Sequence, residues 1–144
     1  MFIMFIMLII KKALKKDTDF ILQITRENMS SLLVWNDEKF LNNLKIKNIY
    51  IVFKDSKKIG LVDCEKTKGN LYIHNLQVNK EFWGQGIGKT IMEYVDNLAK
   101  IMKCKKIVFR VSQNNKRAIT FYANLGFHYL KNDDNSNGFW EKLV

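Results

Sequence analysis

Trp83-Gly-Gln-Gly-Ile-Gly-Lys-Thr90 ends as a nucleotide-binding P-loop does, in Gly-Lys-Thr. A Walker A loop also carries a glycine five positions before that Gly, because its chain wraps backbone N–H groups around phosphates. Here that position is Trp83, so the NTPase pattern fails at its first defining residue. Gly84, Gly86 and Gly88 nevertheless alternate just ahead of a helix-forming run, and a helix start directs partial positive charge and unpaired N–H groups at whatever precedes it. Lacking Cβ atoms, the three glycines let the backbone approach phosphate oxygens, and Lys89 adds a full charge. Two further readings compete with a phosphate cradle. One is a tight strand-to-helix turn with no ligand. The other is a dinucleotide fingerprint, but that needs G-x-G-x-x-G, normally with an acidic residue about twenty positions on, and the spacing here is G-x-G-x-G.

The flanks give the loop its setting. Leu71 to Asn79 (LYIHNLQVN) reads as a strand running into it. From about Lys89 the period changes: Ile91, Val95, Leu98 and Met102 fall on one helical stripe with Met92 and Ala99 beside them. Lys105 to Ser112 (KKIVFRVS) then reads as a buried strand, closing a right-handed βαβ unit. Another helix is expected from about Lys116, with Ala118, Phe121, Tyr122 and Leu125 on one side and Gly126 where a left-handed residue ends a helix. Strands at Phe127 to Leu130 and Phe139 to Leu143 complete the chain, separated by a polar loop, Asn132 to Gly138, expected to be mobile.

Upstream, Met7-Leu-Ile-Ile-Lys-Lys12 reads as a first strand, with residues 1–6 extending it. A helix is predicted over 17–33, carrying Phe20, Ile21, Ile24 and Met29. A second begins at Asn36 and buries Phe40, Leu41 and Leu44. Ile49 to Lys54 and Lys58 to Glu65 form a hairpin through Asp55-Ser-Lys57, and Thr67-Lys-Gly-Asn70 is the next turn.

Composition limits the function classes. The chain has 144 residues, 47% apolar and 26% charged, which suits one ordinary domain with a core and no second domain. A net charge of +10 favours an anionic partner, whether nucleic acid, an acidic membrane surface or a polyphosphorylated cofactor. The lysines are scattered among Asn and Ile rather than gathered in an Arg-rich tract, so a dedicated nucleic-acid face is not indicated. Cys64 and Cys104 have neither CxxC spacing nor a nearby histidine pair, so no metal site or disulfide framework is expected, and the chain reads as intracellular. The apolar opening MFIMFIMLII is ten residues long, too short to span a membrane, and lacks the flanks of a secretory signal.

Two segments together carry a family resemblance. Leu76-Gln-Val-Asn-Lys-Glu-Phe-Trp-Gly-Gln-Gly-Ile-Gly-Lys89, followed by Val111-Ser-Gln-Asn-Asn-Lys-Arg-Ala-Ile-Thr-Phe-Tyr-Ala-Asn-Leu-Gly-Phe127, resembles the GNAT acetyltransferase superfamily. Its glycine loop after the fourth strand and its N-x-x-A-x-x-x-Y-x-x-x-G-F frame after the fifth are both present, in order. The family's loop opens with Gln or Arg, a position that falls on Trp83. The resemblance implies an α+β fold: a central mixed, largely antiparallel sheet of six to seven strands with helices on both faces and the βαβ crossover at the cofactor site, all in one domain over 1–144.

It also implies a cytoplasmic N-acetyltransferase that moves the acetyl group of acetyl-CoA to an amine by direct attack in a ternary complex, without a metal. The pyrophosphate would lie on Gln85, Gly86, Ile87, Gly88 and Lys89, with Gly84 in the turn and Trp83 packed over loop or cofactor. The pantetheine arm would pair with backbone groups of Leu76, Gln77 and Val78 where the fourth and fifth strands splay. A backbone N–H near Gln77 or Val78 would face the thioester oxygen and stabilise the oxyanion. Asn115 matches the family's pantetheine-binding asparagine, although it can equally be an N-cap and Asn114 is adjacent. Tyr122 matches the tyrosine that protonates the departing thiolate, against the plainer role of core packing. Since a free thiol titrates at about 8.5, a proton donor near the sulfur helps it leave.

A lysine-like amine titrates at about 10.4 and must shed a proton, so a base is needed. His74 on the fourth strand is the better-placed candidate, competing with an ordinary satisfied strand histidine; Glu81 and His128 are weaker. The acceptor, a small molecule or a protein amine, would be shaped by Arg26 to Trp35 and Asn132 to Gly138, with Glu27 pairing a cation and Trp35 stacking on one. Neither specific nucleic acid nor membrane is an expected partner, and a homodimer is left open. Two other classes compete with the enzyme: a non-catalytic acyl-CoA-binding module, and a basic nucleic-acid-associated domain.

Overall fold

The computed structural model describes residues 7–29, 37–133 and 135–144. The expected extension of the first strand over 1–6, the end of the first helix beyond Met29, the Asn36 cap and Trp35 all lie outside the described residues. Those described form two compact units, one made of the chain up to Asp63 with Asn75–Ile91, the other of Cys64–His74 with Met92–Val144.

The first unit starts with β1 (Leu8–Lys12), antiparallel to β2 (Ile49–Lys54) from Leu8↔Lys54 to Lys12↔Tyr50. β2 pairs in turn with β3 (Lys57–Thr67), which is longer at both ends than its apolar run suggested. The link is a two-residue turn, Asp55 and Ser56, with φ of 48° and 69°, the left-handed pair that matches the twist of a hairpin. Between β1 and β2 lie α1 (Thr18–Met29) and the short α2 (Asp37–Asn43). Ile21 and Ile24 of α1 are fully buried with Ala13, Ile49, Ile51 and Leu61, while Phe20, Phe40 and Leu44 pack around them. The start of α1 is pinned by Asp17, whose Oδ2 accepts the Leu14 N–H at 2.7 Å and whose Oδ1 pairs with Lys58.

The second unit contains the parallel element. β4 (Asn70–Val78) follows a turn with Lys68 and Gly69 at φ 51° and 81°, and its Leu71–Ile73 pair with Ile107–Phe109 of β5 (Lys106–Ser112). Between these strands runs α3 (Ile87–Ile101), which buries Ile91 and Val95 of the predicted stripe and Met92 and Ala99 beside it, while Leu98 is half-buried and Met102 falls past the helix end. α4 (Lys116–Asn124) leads to β6 (His128–Asn132), β6 pairs with β7 (Asn137–Leu143), and β7 lies antiparallel to β5. The strand order is β1-β2-β3-β4-β5-β7-β6, a mixed α+β architecture with a seven-stranded, mostly antiparallel sheet.

The polar segment before β7 is shorter than the sequence suggested. β6 and β7 extend into it, and Asp133 accepts the N–H groups of Asn135 and Asn137, each at 2.9 Å. Both helices of this unit end in the same way. Gly126 (φ 92°) follows α4, with the Phe127 N–H bonding the Tyr122 carbonyl at 3.2 Å and the Gly126 N–H bonding that of Ala123 at 3.1 Å. After α3, Lys103 (φ 56°) takes the glycine's place with the equivalent pair of bonds. Cys64 and Cys104 are buried, and neither is in a disulfide among the described residues. No helix among the described residues is long and apolar enough to cross a membrane.

Candidate functional site

The first unit carries the loop. After Val78 the chain makes a 3-10 turn over Lys80–Phe82, and Gly84 (φ 76°) and Gly86 (φ 78°) then reverse it in the left-handed region that other residues enter only with strain. A Cβ at either glycine would meet nothing within 4 Å, so the space above both is open. The Gly86 carbonyl accepts the Thr90 N–H and hydroxyl, each at 3.2 Å, making Gly86 the residue from which α3 starts. The helix begins at Ile87, earlier than the Lys89 that periodicity suggested, because the loop glycine supplies the first helical acceptor. Ile87 is buried and anchors this end; Gly88 and Lys89 follow in the first turn, where N–H groups have no intrahelical partner.

Trp83 is half-exposed, and its indole N–H donates to the Val78 carbonyl at 2.8 Å. The residue that departs from the family pattern thus closes the end of β4. Around the loop stands a ring of lysines. Lys54 donates to Gln85 at 3.2 Å and lies 5.0 Å from the Phe82 ring; Lys57 pairs with Glu81 at 3.2 Å and lies 5.5 Å from the same ring. Lys80 sits 5.9 Å from the Trp83 ring. In β4, Leu76 and Val78 are half-buried, whereas Gln77 is buried and its side chain turns to α1, bonding Thr25 and Asn28 at 3.1 Å each.

The second unit holds the other candidates. Tyr122 is buried, its ring 4.0 Å from that of Phe109 and 5.6 Å from that of Phe127. Burial pushes its hydroxyl far above the ordinary phenol value, so it stays protonated at neutral pH. Its hydroxyl has no hydrogen-bond partner among the described residues. Asn115 is the N-cap of α4, its Oδ1 accepting the Ala118 N–H at 3.2 Å, and the Asn114 N–H bonds Ser112 instead. His74 is exposed and paired with Glu65 at 2.7 Å, its ring tilted on Tyr72. That is the arrangement of a satisfied strand histidine. His128 lies 3.5 Å from Glu141, which Lys106 also engages at 3.1 Å. No group of three metal-ligating side chains occurs among the described residues.

Part of the first unit was not foreseen. A cleft of about 840 Å³ lies between α1 and the start of β3, lined by Phe20, Arg26, Glu27, Lys57, Lys58 and Glu81 among others. Glu27, expected near an acceptor cation, accepts from Gln23 at 3.2 Å within α1. The basic tip of the β2–β3 hairpin carried no motif. Its only signal was the lysine pair Lys57-Lys58 placed directly after the turn.

A seven-stranded mixed sheet with a glycine loop between a parallel strand pair is the class of architecture defined by these elements. Residues 17–127 match the acetyltransferase (GNAT) family, and the chain belongs to it. It is similar to a probable spermine N(1)-acetyltransferase of Bacillus subtilis subsp. natto, 29% identical over 68 residues, 46% of this chain. The match covers 45% of that relative, so the chain spans less than half of its length. An uncharacterised N-acetyltransferase of Methanocaldococcus jannaschii is 29% identical over 130 residues, 86% of this chain and 80% of the relative. Among solved structures, the PaiA N-acetyltransferase of Thermoplasma acidophilum in complex with coenzyme A superposes with a TM-score of 0.81 at 19% identity, covering 96% of this chain and 99% of the other.

Proposed function

We propose that the protein is an acetyl-CoA-dependent N-acetyltransferase that serves a primary amine by direct attack in a ternary complex. The observation carrying this is the loop: two left-handed glycines with open space above them, then a helix start whose N–H groups face the turn, in a chain of the GNAT family. Those donors and the surrounding lysines fit a pyrophosphate. Gly84 to Lys89 would hold it, with Trp83 closing the end of β4 and Leu76 to Val78 offering backbone groups to the pantetheine. Acetyl-CoA supplies an acetyl group activated as a thioester.

The protein's own contributions are positioning and proton transfer. A main-chain N–H at Gln77 or Val78 would donate to the acetyl oxygen as negative charge builds there. Asn115 would combine its cap with a bond to the pantetheine. Tyr122, a phenol protonated at neutral pH, would donate to the sulfur as the C–S bond breaks after the C–N bond has formed. The amine's proton would leave through solvent or His74 coupled to Glu65, a pair at 2.7 Å that is closer than His128 and Glu141 at 3.5 Å.

The test is release of free thiol from acetyl-CoA in the presence of spermine, a lysine analogue or short peptides with free N-termini, with product masses measured in parallel. One acetylated amine per thiol released, with at least one acceptor, is expected. Coenzyme A binding without thiol release for any amine would favour the non-catalytic binding module.

A further inference from the structure

We propose that Gln77 is a positioning residue for acetyl transfer, holding the β4 backbone that faces the thioester by a buried side-chain lock on α1; this rests on the acetyltransferase function proposed above. Asn28 Nδ2 donates to Gln77 Oε1 at 3.1 Å, Gln77 Nε2 donates to Thr25 Oγ1 at 3.1 Å, and the Thr25 hydroxyl donates to the Ile21 carbonyl at 2.7 Å. Thr25 is 1% exposed and Gln77 6%, so water does not compete for these bonds. A glutamine is costly to bury, and one whose amide is engaged at both ends has a defined orientation.

The main chain is constrained at the same place. A Cβ on Gly60 of β3 would stand 2.5 Å from the Gln77 carbonyl oxygen and 3.4 Å from Val78 Cα, so β3 approaches β4 here more closely than any other residue would permit. One residue on, the Asn79 N–H donates to the Ile59 carbonyl at 2.8 Å, and the Val78 carbonyl receives the Trp83 indole N–H at 2.8 Å. Gln77, Val78 and Asn79 are therefore fixed by three different elements, α1, the loop and β3. A donor aimed at a developing oxyanion works only if it is held within about 0.5 Å of the productive position. The side-chain lock supplies the part of that restraint that comes from outside the sheet.

An acceptor-independent measurement tests this. Isotope-edited infrared spectroscopy of bound [1-¹³C]acetyl-CoA reports the polarisation of the thioester carbonyl. The wild type should shift the band to lower frequency, Thr25→Val should lose about half of that shift or more while binding CoA within about twofold of wild type, and Gln77→Met should lose at least as much of the shift. Thr25→Ser keeps the hydroxyl and should restore the full shift; the Thr25 pair decides the matter if Gln77→Met does not fold. A full shift in Gln77→Met and Thr25→Val overturns the positioning role while leaving the acetyltransferase assignment intact. Failure of the wild type to bind acetyl-CoA overturns the functional assignment itself, and this role with it.

Discussion

Tyr122→Phe is expected to lower kcat about 100-fold, the lower end of what a positioned proton donor contributes, while CoA affinity stays within about twofold. The substitution removes one oxygen from a ring whose position is set by packing. Tyr122 lies two residues before the end of α4, and the closing turn at Gly126 brings Phe127 back onto it, with Phe109 of β5 behind. None of these contacts uses the hydroxyl, so the phenylalanine variant should fold normally. The burial that raises the phenol's titration does not make it a stronger acid. A phenol is protonated throughout the neutral range in any case and more firmly so here, so under the proposed function its proton would be available to the sulfur when the thiolate forms. Steady-state rates against acetyl-CoA concentration, with CoA affinity measured separately, check this. An unchanged kcat would reduce Tyr122 to a core residue.

The second large effect concerns stability. Asp17→Ala should cost about 2 kcal/mol, because it leaves the Leu14 N–H without its acceptor and removes the partner of a Lys58 ammonium that can still turn to solvent; for a chain of this size that is about 6 °C in the unfolding midpoint. Asp17 is 3% exposed, and its two oxygens hold the Leu14 N–H and the Lys58 ammonium. Burial alone would raise its titration, but the Leu14 hydrogen bond, the bond and charge of Lys58 and the charge of Lys16 outweigh it, leaving the carboxyl below its ordinary value of 3.8. The folded state therefore favours the ionised form. Its stabilisation is complete above the unfolded value and is lost as pH falls through the folded one. The gap between wild type and Asp17→Ala in thermal unfolding should accordingly be widest near neutrality and shrink below about pH 4. A gap independent of pH would mean that the ion pair contributes nothing and that only packing was lost.

Local chemistry made much of this molecule legible in its sequence. Asp55-Ser and Lys68-Gly turned out to be left-handed hairpin turns, Gly126 closed α4, and Asn115 capped it, each decided by neighbours a few residues away. The paired signatures at 76–89 and 111–127 led to the family in the same way. Readings that depended on distant partners were not available. Gln77 looked like a backbone contributor because its side-chain partners, Thr25 and Asn28, lie 52 and 49 residues earlier in the chain. Lys57 gave no sign of meeting Glu81, which sits in the turn after β4, nor His74 of being occupied by Glu65, a cross-strand partner set by register. The stretch before β7 read as a loop from its Asn and Asp content, whereas one carboxylate, Asp133, binds Asn135 and Asn137.

Trp83 bears most directly on whether the loop binds its ligand. In place of a Gln or Arg side chain it offers an indole whose N–H is spent on Val78, so under the proposed function the pyrophosphate would fall to the backbone donors of α3 and the nearby lysines. Thermal unfolding in separate titrations with acetyl-CoA, CoA, ATP and NAD tests that claim. A ligand at about 100 times its dissociation constant adds roughly 2.7 kcal/mol to folding, enough to raise the midpoint by several degrees. The predicted result is a rise with acetyl-CoA and CoA and none with ATP or NAD. No shift with either CoA species at millimolar concentration would contradict the assignment of the glycine loop as an acetyl-CoA cradle.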